Sequence, residues 1–315
     1  MTKTTVISII IAFSFSMSSF FIVYGAFPPS HMDSNDDFFK NSLSKDENKI
    51  FIFGSSQVGQ LNVEIINSQI STYYDDSKAY NLAYNGDSPK KRIQTLPEII
   101  DLNPKLIVYG ISYRDFVIPN HDSEYLLPDP KKSFYELLDY YSYGEEINPQ
   151  FFTLSLIREN FVNMGIFPKQ QNTKIPDTPF YDYSDDLMKI LSSDDKNNIE
   201  NTSNTNRFYF GDLQTNSQIY AFEQILDRLN ENNIKVIIFL TPLHQSSLNQ
   251  ISDIEEDGLQ FVMKRISEHN IPILDLRKEY VDLNIFADWD HVALNDDSII
   301  YSDDISKFII TELEE

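Results

Sequence analysis

Short apolar runs rich in branched and aromatic residues recur along this chain at Lys49–Phe53, Ala79–Ala83, Leu106–Ile111, Lys235–Leu240 and Pro272–Leu276. Each is bounded by turn or helix-start residues, which is the pattern of strands buried on both faces of a parallel sheet. Helical spacing lies between most of them. From Gln218 to Asn232 the residues Ile219, Phe222, Ile225, Leu226 and Leu229 recur at intervals of three and four, with Asp227, Asn230 and Glu231 elsewhere around the helix. Ile254 to His269 repeats the pattern with Leu259, Val262, Met263 and Ile266, and Asp303 to Leu313 closes the chain with Ile305, Phe308 and Ile309. Strands alternating with helices through short links predict an α/β fold with a doubly wound parallel sheet, functional at the carboxyl ends of its strands.

Three stretches depart from the rhythm. Val6 to Val23 is an apolar run of about 18 residues, near the lower limit for crossing a hydrocarbon core. Lys3 precedes it and Asp33-Ser34-Asn35-Asp36-Asp37 follows, a bias that places the domain outside the cytoplasm. Residues 1–27 therefore read as a transmembrane anchor, with a cleaved signal peptide as the alternative, and 28–48 as an acidic stalk. Inside the 49–315 domain, residues 116–212 form an insertion rich in Tyr, Phe, Pro and Asp, expected either to form a lid or to cover the sheet edge. Within it, Ser192 to Asn206 is a low-complexity run expected to be flexible, and Asn201-Thr202-Ser203 is a sequon.

Composition narrows the chemistry. Lys+Arg number 25 against Asp+Glu 48, for a net charge of -23, so there is no basic stripe for nucleic acid and no general attraction to an anionic surface. There are no cysteines, hence neither disulfides nor thiolate chemistry. No His, Asp and Glu cluster has metal-ligand spacing, no Gly-rich phosphate loop occurs, and no cofactor is expected.

The informative chemistry is an ordered set of blocks. Gly54-Ser55-Ser56 follows the first predicted strand and opens a helix, Asn81-Leu82-Ala83-Tyr84-Asn85-Gly86 follows the second, and Asp288-Trp289-Asp290-His291 stands near the end. A serine needs a histidine to take its proton and a carboxylate to orient that histidine, and all three types are present. A lone serine after a strand is most often a helix cap. It is the order of the blocks, on successive strands, that carries weight.

In that order the blocks resemble the SGNH, or GDSL-type, hydrolase superfamily, in particular its membrane-anchored, extracytoplasmic branch of acyl-esterases and O-acetyltransferases. The resemblance implies a flavodoxin-like sheet with Ser56 as nucleophile, Ser55 as a turn or cap residue, His291 as base and Asp288 as its orienting acid; Asp290, adjacent to the histidine, is the lesser candidate. It implies the Gly86 amide as an oxyanion donor and makes the literal Gly86-Asp87-Ser88 a decoy, since that follows the second strand. The family's third block carries an asparagine two residues past a glycine; here Gly110-Ile111-Ser112 puts Ser112 there, with Arg114 beyond it as a further charge. One hydroxyl is a weaker substitute, and a lost oxyanion donor costs about 10²-fold or more in rate. His244, after another strand, could line a pocket, whereas His121 and His269 look incidental. The expected activity is removal or transfer of a small acyl group, chiefly acetyl, on a cell-surface glycan. The alternative is a silent protein of the same fold that binds glycan or scaffolds a membrane acyltransferase.

Overall fold

The computed structural model describes residues 47–118, 177–181, 185–192 and 208–314, together with Phe38 and Leu43. The apolar run at Val6–Val23, nearly all of the acidic stalk, His121, the sequon and most of the 116–212 insertion lie outside the described residues. Among the described residues no helix is long and apolar enough to cross a membrane.

Five parallel strands, β1 (Asn48–Phe53), β2 (Ser77–Asn81), β3 (Leu106–Ile111), β4 (Lys235–Leu240) and β5 (Ile273–Asp275), pair in the order β2-β1-β3-β4-β5. This is the flavodoxin-like order, with a topological switch at β1 and β3. Side chains alternate across the sheet. Phe51, Phe53, Ile107, Tyr109, Ile238 and Leu240 enter one core, and Ile50, Ile52, Leu106, Val108, Ile237 and Phe239 enter the other. Both faces are thus covered, which is why the strands read as continuous apolar runs.

Among the described residues seven α-helices flank the sheet: α1 (Ser56–Gly59), α2 (Val63–Tyr73), α3 (Pro89–Asp101), α4 (Ser217–Glu231), α5 (Gln245–Leu248), α6 (Asp253–Glu268) and α7 (Ile299–Glu314). Helices α3, α4 and α6 place Leu96, Phe222 and Leu259 in the first core, while α2 and α7 place Ile66 and Ile305 in the second. Local chemistry fixes the helix starts. Asn62 and Asn216 accept from the amides two and three residues on, and Ser252 with Glu255 forms a capping box. Helix α7 begins four residues before the predicted start.

Strand β2 ends two residues earlier than its apolar run. The Asn81 side chain accepts from the Ala83 amide and donates to the Val58 carbonyl, taking over the backbone's role and turning the chain. Described parts of the insertion belong to the core: Tyr181 is fully buried with its hydroxyl accepting from Gln60, Phe208 stacks on Tyr113, and Phe210 stacks on Phe116.

Candidate active site

At the carboxyl end of β1 the chain leaves the sheet through Gly54, whose φ of +147° is a conformation L side chains rarely adopt. The Gly110 carbonyl would lie 2.8 Å from a Cβ there. The Ser55 carbonyl then accepts from the amides of Val58 and Gly59, starting α1 with Ser56 as its first residue. Ser55 thus serves as the cap through its backbone. Its hydroxyl donates weakly to Gln57 Oε1 at 3.4 Å and makes no capping bond.

The loop at 286–292 approaches from the far end of the sequence. An antiparallel bridge between Phe286 and Val292 closes it, and the Ala287 amide donates to the His291 carbonyl at 2.8 Å. Inside it, Asp288 Oδ1 accepts from the amides of both Asp290 and His291, at 2.9 and 2.8 Å. This short turn holds the imidazole against its own acid. His291 Nδ1 lies 2.8 Å from Asp288 Oδ2, and Nε2 lies 2.7 Å from Ser56 Oγ. Ser56, His291 and Asp288 therefore form a continuous chain of the serine, histidine, aspartate kind.

A second carboxylate stands on the same nitrogen. Asp290, fully buried, has Oδ1 3.1 Å from His291 Nδ1, outside hydrogen-bond alignment, so the Nδ1 proton goes to Asp288 and Asp290 acts by charge. Its other oxygen forms an ion pair with Arg114 Nε at 2.8 Å and accepts a hydrogen bond from Gln57 Nε2 at 3.0 Å. The Arg114 guanidinium stacks over the Trp289 ring, 4.3 Å from its centroid. Burial opposes a charge on His291, yet the Asp290 carboxylate and then Asp288 push its pKa up to about 10. The Asp290 carboxyl is held well below the usual carboxylate range: its own burial works against this, and His291 and Arg114 outweigh it.

Asp290 and Gln57 are the residues of this network that motif reasoning ranked low or missed. A side chain adjacent to the histidine should point away from it along an extended chain, but the turn around Asp288 brings both to one side. The expectation that no His and carboxylate cluster has metal-ligand spacing is corrected here, since ligand atoms of Asp288, Asp290 and His291 lie within 4.8 Å of one another. The Nδ1 proton of His291, directed at Asp288, already lies in that cluster. A cation would have to displace the Nδ1 proton and compete with Arg114 and Gln57 for Asp290.

Gly86 stands exposed at φ +66° on the turn after β2, which Asp87 closes by donating its amide to the Tyr84 carbonyl. The Tyr84 amide in turn donates to the Gly54 carbonyl at 3.3 Å, joining this turn to the start of the nucleophile loop. Behind it, Asp87 and Arg92 form a wholly buried ion pair; Arg92 also donates to the Leu82 carbonyl and lies against the Phe53 and Tyr84 rings. The literal Gly86-Asp87-Ser88 is thus a structural element.

Ser112 needs correction as an oxyanion donor. Its hydroxyl donates to Asp115 Oδ2 at 3.0 Å and accepts from the Arg114 amide at 3.2 Å, as the cap of a 3-10 turn at Tyr113–Phe116. Its one proton is committed. The spacing Ser112-x-x-Asp115 is a capping-box signature that sequence inspection could have recognised. Burial pushes the Asp115 carboxyl up to about 7, against the hydrogen bonds from Ser112. His244 caps α5, accepting from the Ser246 amide, with its ring edge-on to Phe286. It sits outside the triad, while its amide and the Ser247 hydroxyl both donate to the Trp289 carbonyl and brace the histidine loop. His269 ends α6.

No protein-family model and no curated protein matches the chain. Among solved structures, it is similar to an acetyl xylan esterase at 12% identity, over 84% of this chain and 98% of that one, with a TM-score of 0.43. A lipase/acylhydrolase from Enterococcus faecalis shares 14% identity over 84% of this chain and 95% of its own, at TM-score 0.43. An extracellular lipase from Streptomyces rimosus shares 9% over 82% and 99%, at 0.36.

Proposed function

We propose that the protein is a serine esterase or O-acyltransferase of the SGNH kind, acting on small acyl esters, chiefly acetyl, of a cell-surface glycan. The observation that carries this reading is the 2.7 Å approach of Ser56 Oγ to His291 Nε2, with Asp288 on the opposite ring nitrogen. In the reaction Ser56 Oγ attacks the ester carbonyl as its proton passes to Nε2, and Asp288 holds the Nδ1 proton and stabilises the imidazolium. The amide of Ser56, an orphan donor at the start of α1, and that of Gly86 receive the oxyanion. His291 returns its proton to the leaving alcohol. Water or a sugar hydroxyl, deprotonated by His291, then releases the acyl group. A membrane anchor at residues 1–27 and an extracytoplasmic setting complete the proposal, supported by the apolar run and its charge bias, with a membrane acyltransferase as a possible partner.

One observation favours the silent alternative, in which the fold binds glycan or serves as a scaffold: the committed proton of Ser112 leaves the third oxyanion position unfilled. Treating residues 28–315 with a fluorophosphonate and with p-nitrophenyl acetate, from pH 7 to 9, separates the two. Labelling and turnover in the wild type, absent in Ser56→Ala and His291→Ala, are expected. A folded wild type that neither labels nor turns over would leave the binding reading in place.

A further inference from the structure

The triad uses one face of the Asp290 network, and Arg114 is left over. Its Nε is fixed on Asp290 Oδ2 and its plane is fixed on Trp289, two independent restraints on a side chain otherwise free to swing. About a third of that side chain stays open to solvent, whereas Asp290 is wholly enclosed. Among the described residues neither Nη atom has a hydrogen-bond partner. A guanidinium so held presents a fixed edge of paired donors, the geometry that matches a carboxylate or phosphate and that a lysine cannot reproduce. Through Asp290 it is linked to the Nδ1 side of the imidazole whose Nε2 faces Ser56.

We propose that Arg114 is a substrate-recognition residue, and that the site prefers esters carrying a carboxylate or phosphate close to the scissile carbonyl. This rests on the esterase reading. The chain's charge of -23 does not oppose it, because screening limits distant carboxylates to about 8 Å at physiological salt. A small acid group meets Arg114 locally, where a polyanion would meet the whole surface.

The test compares kcat/KM for p-nitrophenyl acetate with that for p-nitrophenyl hydrogen succinate, which carries the charge on the acyl side, and for 4-acetoxybenzoate, which carries it on the alcohol side. Arg114→Lys is the variant of choice, since an ammonium keeps Asp290 paired and spares the fold. The ratio of anionic to neutral kcat/KM is expected to fall about tenfold for at least one charged ester, through KM, and the affected ester identifies the side. An unchanged ratio for both esters overturns the proposal. So does an equal fall in kcat on all three esters, which would make Arg114 an oxyanion donor. Titration calorimetry of 4-acetoxybenzoate and of succinate with Ser56→Ala and with Ser56→Ala/Arg114→Lys requires no turnover. Binding of either anion about tenfold weaker in the double variant, alongside a folded wild type that hydrolyses none of the three esters, would uphold the anion site and sink the esterase reading; equal binding of both would sink the anion site.

Discussion

Two carboxylates share one imidazole nitrogen, and they are not equivalent. Asp288 is partly exposed and takes the Nδ1 proton, whereas Asp290 is enclosed, out of line and tied to Arg114. Orientation thus comes from Asp288 and most of the field from Asp290. Asp288→Asn should cost about 10²- to 10⁴-fold in kcat/KM at every pH, because the amide can hold the wrong tautomer. Asp290→Asn should act differently. In the wild type the base form of His291 appears only as pH approaches about 10, so kcat/KM should climb steadily from pH 7 upward. Removing the Asp290 charge should move that limb at least one unit toward neutrality. An unchanged profile in Asp290→Asn would mean that Asp288 alone sets the basicity. The triad residues were legible because their types and chain order are what the chemistry demands. Asp290 was not, because its position depends on a turn made by backbone amides donating to the Asp288 side chain, and alternation along an extended chain predicts the opposite direction.

At the scale of elements, apolar runs located all five strands: β1, β3 and β4 are buried almost throughout and leave little choice of residue, while β2 and the partly exposed β5 were found from shorter apolar stretches. The helices with clean three-and-four spacing, α4 and α6, were delimited to within a residue. The intervals that became α2 and α3 were not delimited, and α3 carries Pro97 in its interior, which weakens any helical signal. Also invisible was the pair that fixes the turn bearing Gly86: the types and spacing of Asp87 and Arg92 resemble an ordinary exposed i, i+5 pair, yet both are enclosed between β1, the turn and α3. Breaking such a pair strands a buried charge, at about 3–5 kcal/mol. Asp87→Ala should therefore lose about that much stability in urea titration and disorder the turn. Asp87→Leu with Arg92→Met removes both charges and should recover most of the loss. A double variant as unstable as the single one would show that packing, and not charge, dominates there.

For the whole molecule the titrating groups pull toward a stability maximum well below the pH at which His291 loses its proton. His291 has a folded pKa of about 10 against an ordinary 6.5, so its contribution is complete below 6.5 and drains away as pH rises toward 10. Asp115, raised from 3.8 to about 7 by burial, favours the protonated folded state, and stability falls between those two values as it ionises. The net charge of -23 adds self-repulsion that grows in the same direction. Opposing them, Asp290, Asp275 and Glu256 have depressed pKa values despite burial, through His291 and Arg114 for the first and Arg277 for the second, with Tyr113 and Arg277 acting on the third. Their contribution is present above about 4 and is lost as pH falls below it. The melting temperature should therefore peak between about pH 4 and 6 and decline steadily to pH 9, while esterase activity rises over that same upper range. Asp115→Asn should flatten the part of the decline between pH 4 and 7 and leave the part above pH 7, and added salt should raise the alkaline limb by screening the excess carboxylates. Scanning calorimetry from pH 3 to 9.5 reads all of this in one series. A maximum at pH 8 or above would contradict the elevated pKa of His291 and, with it, the argument that the site must be deprotonated to act.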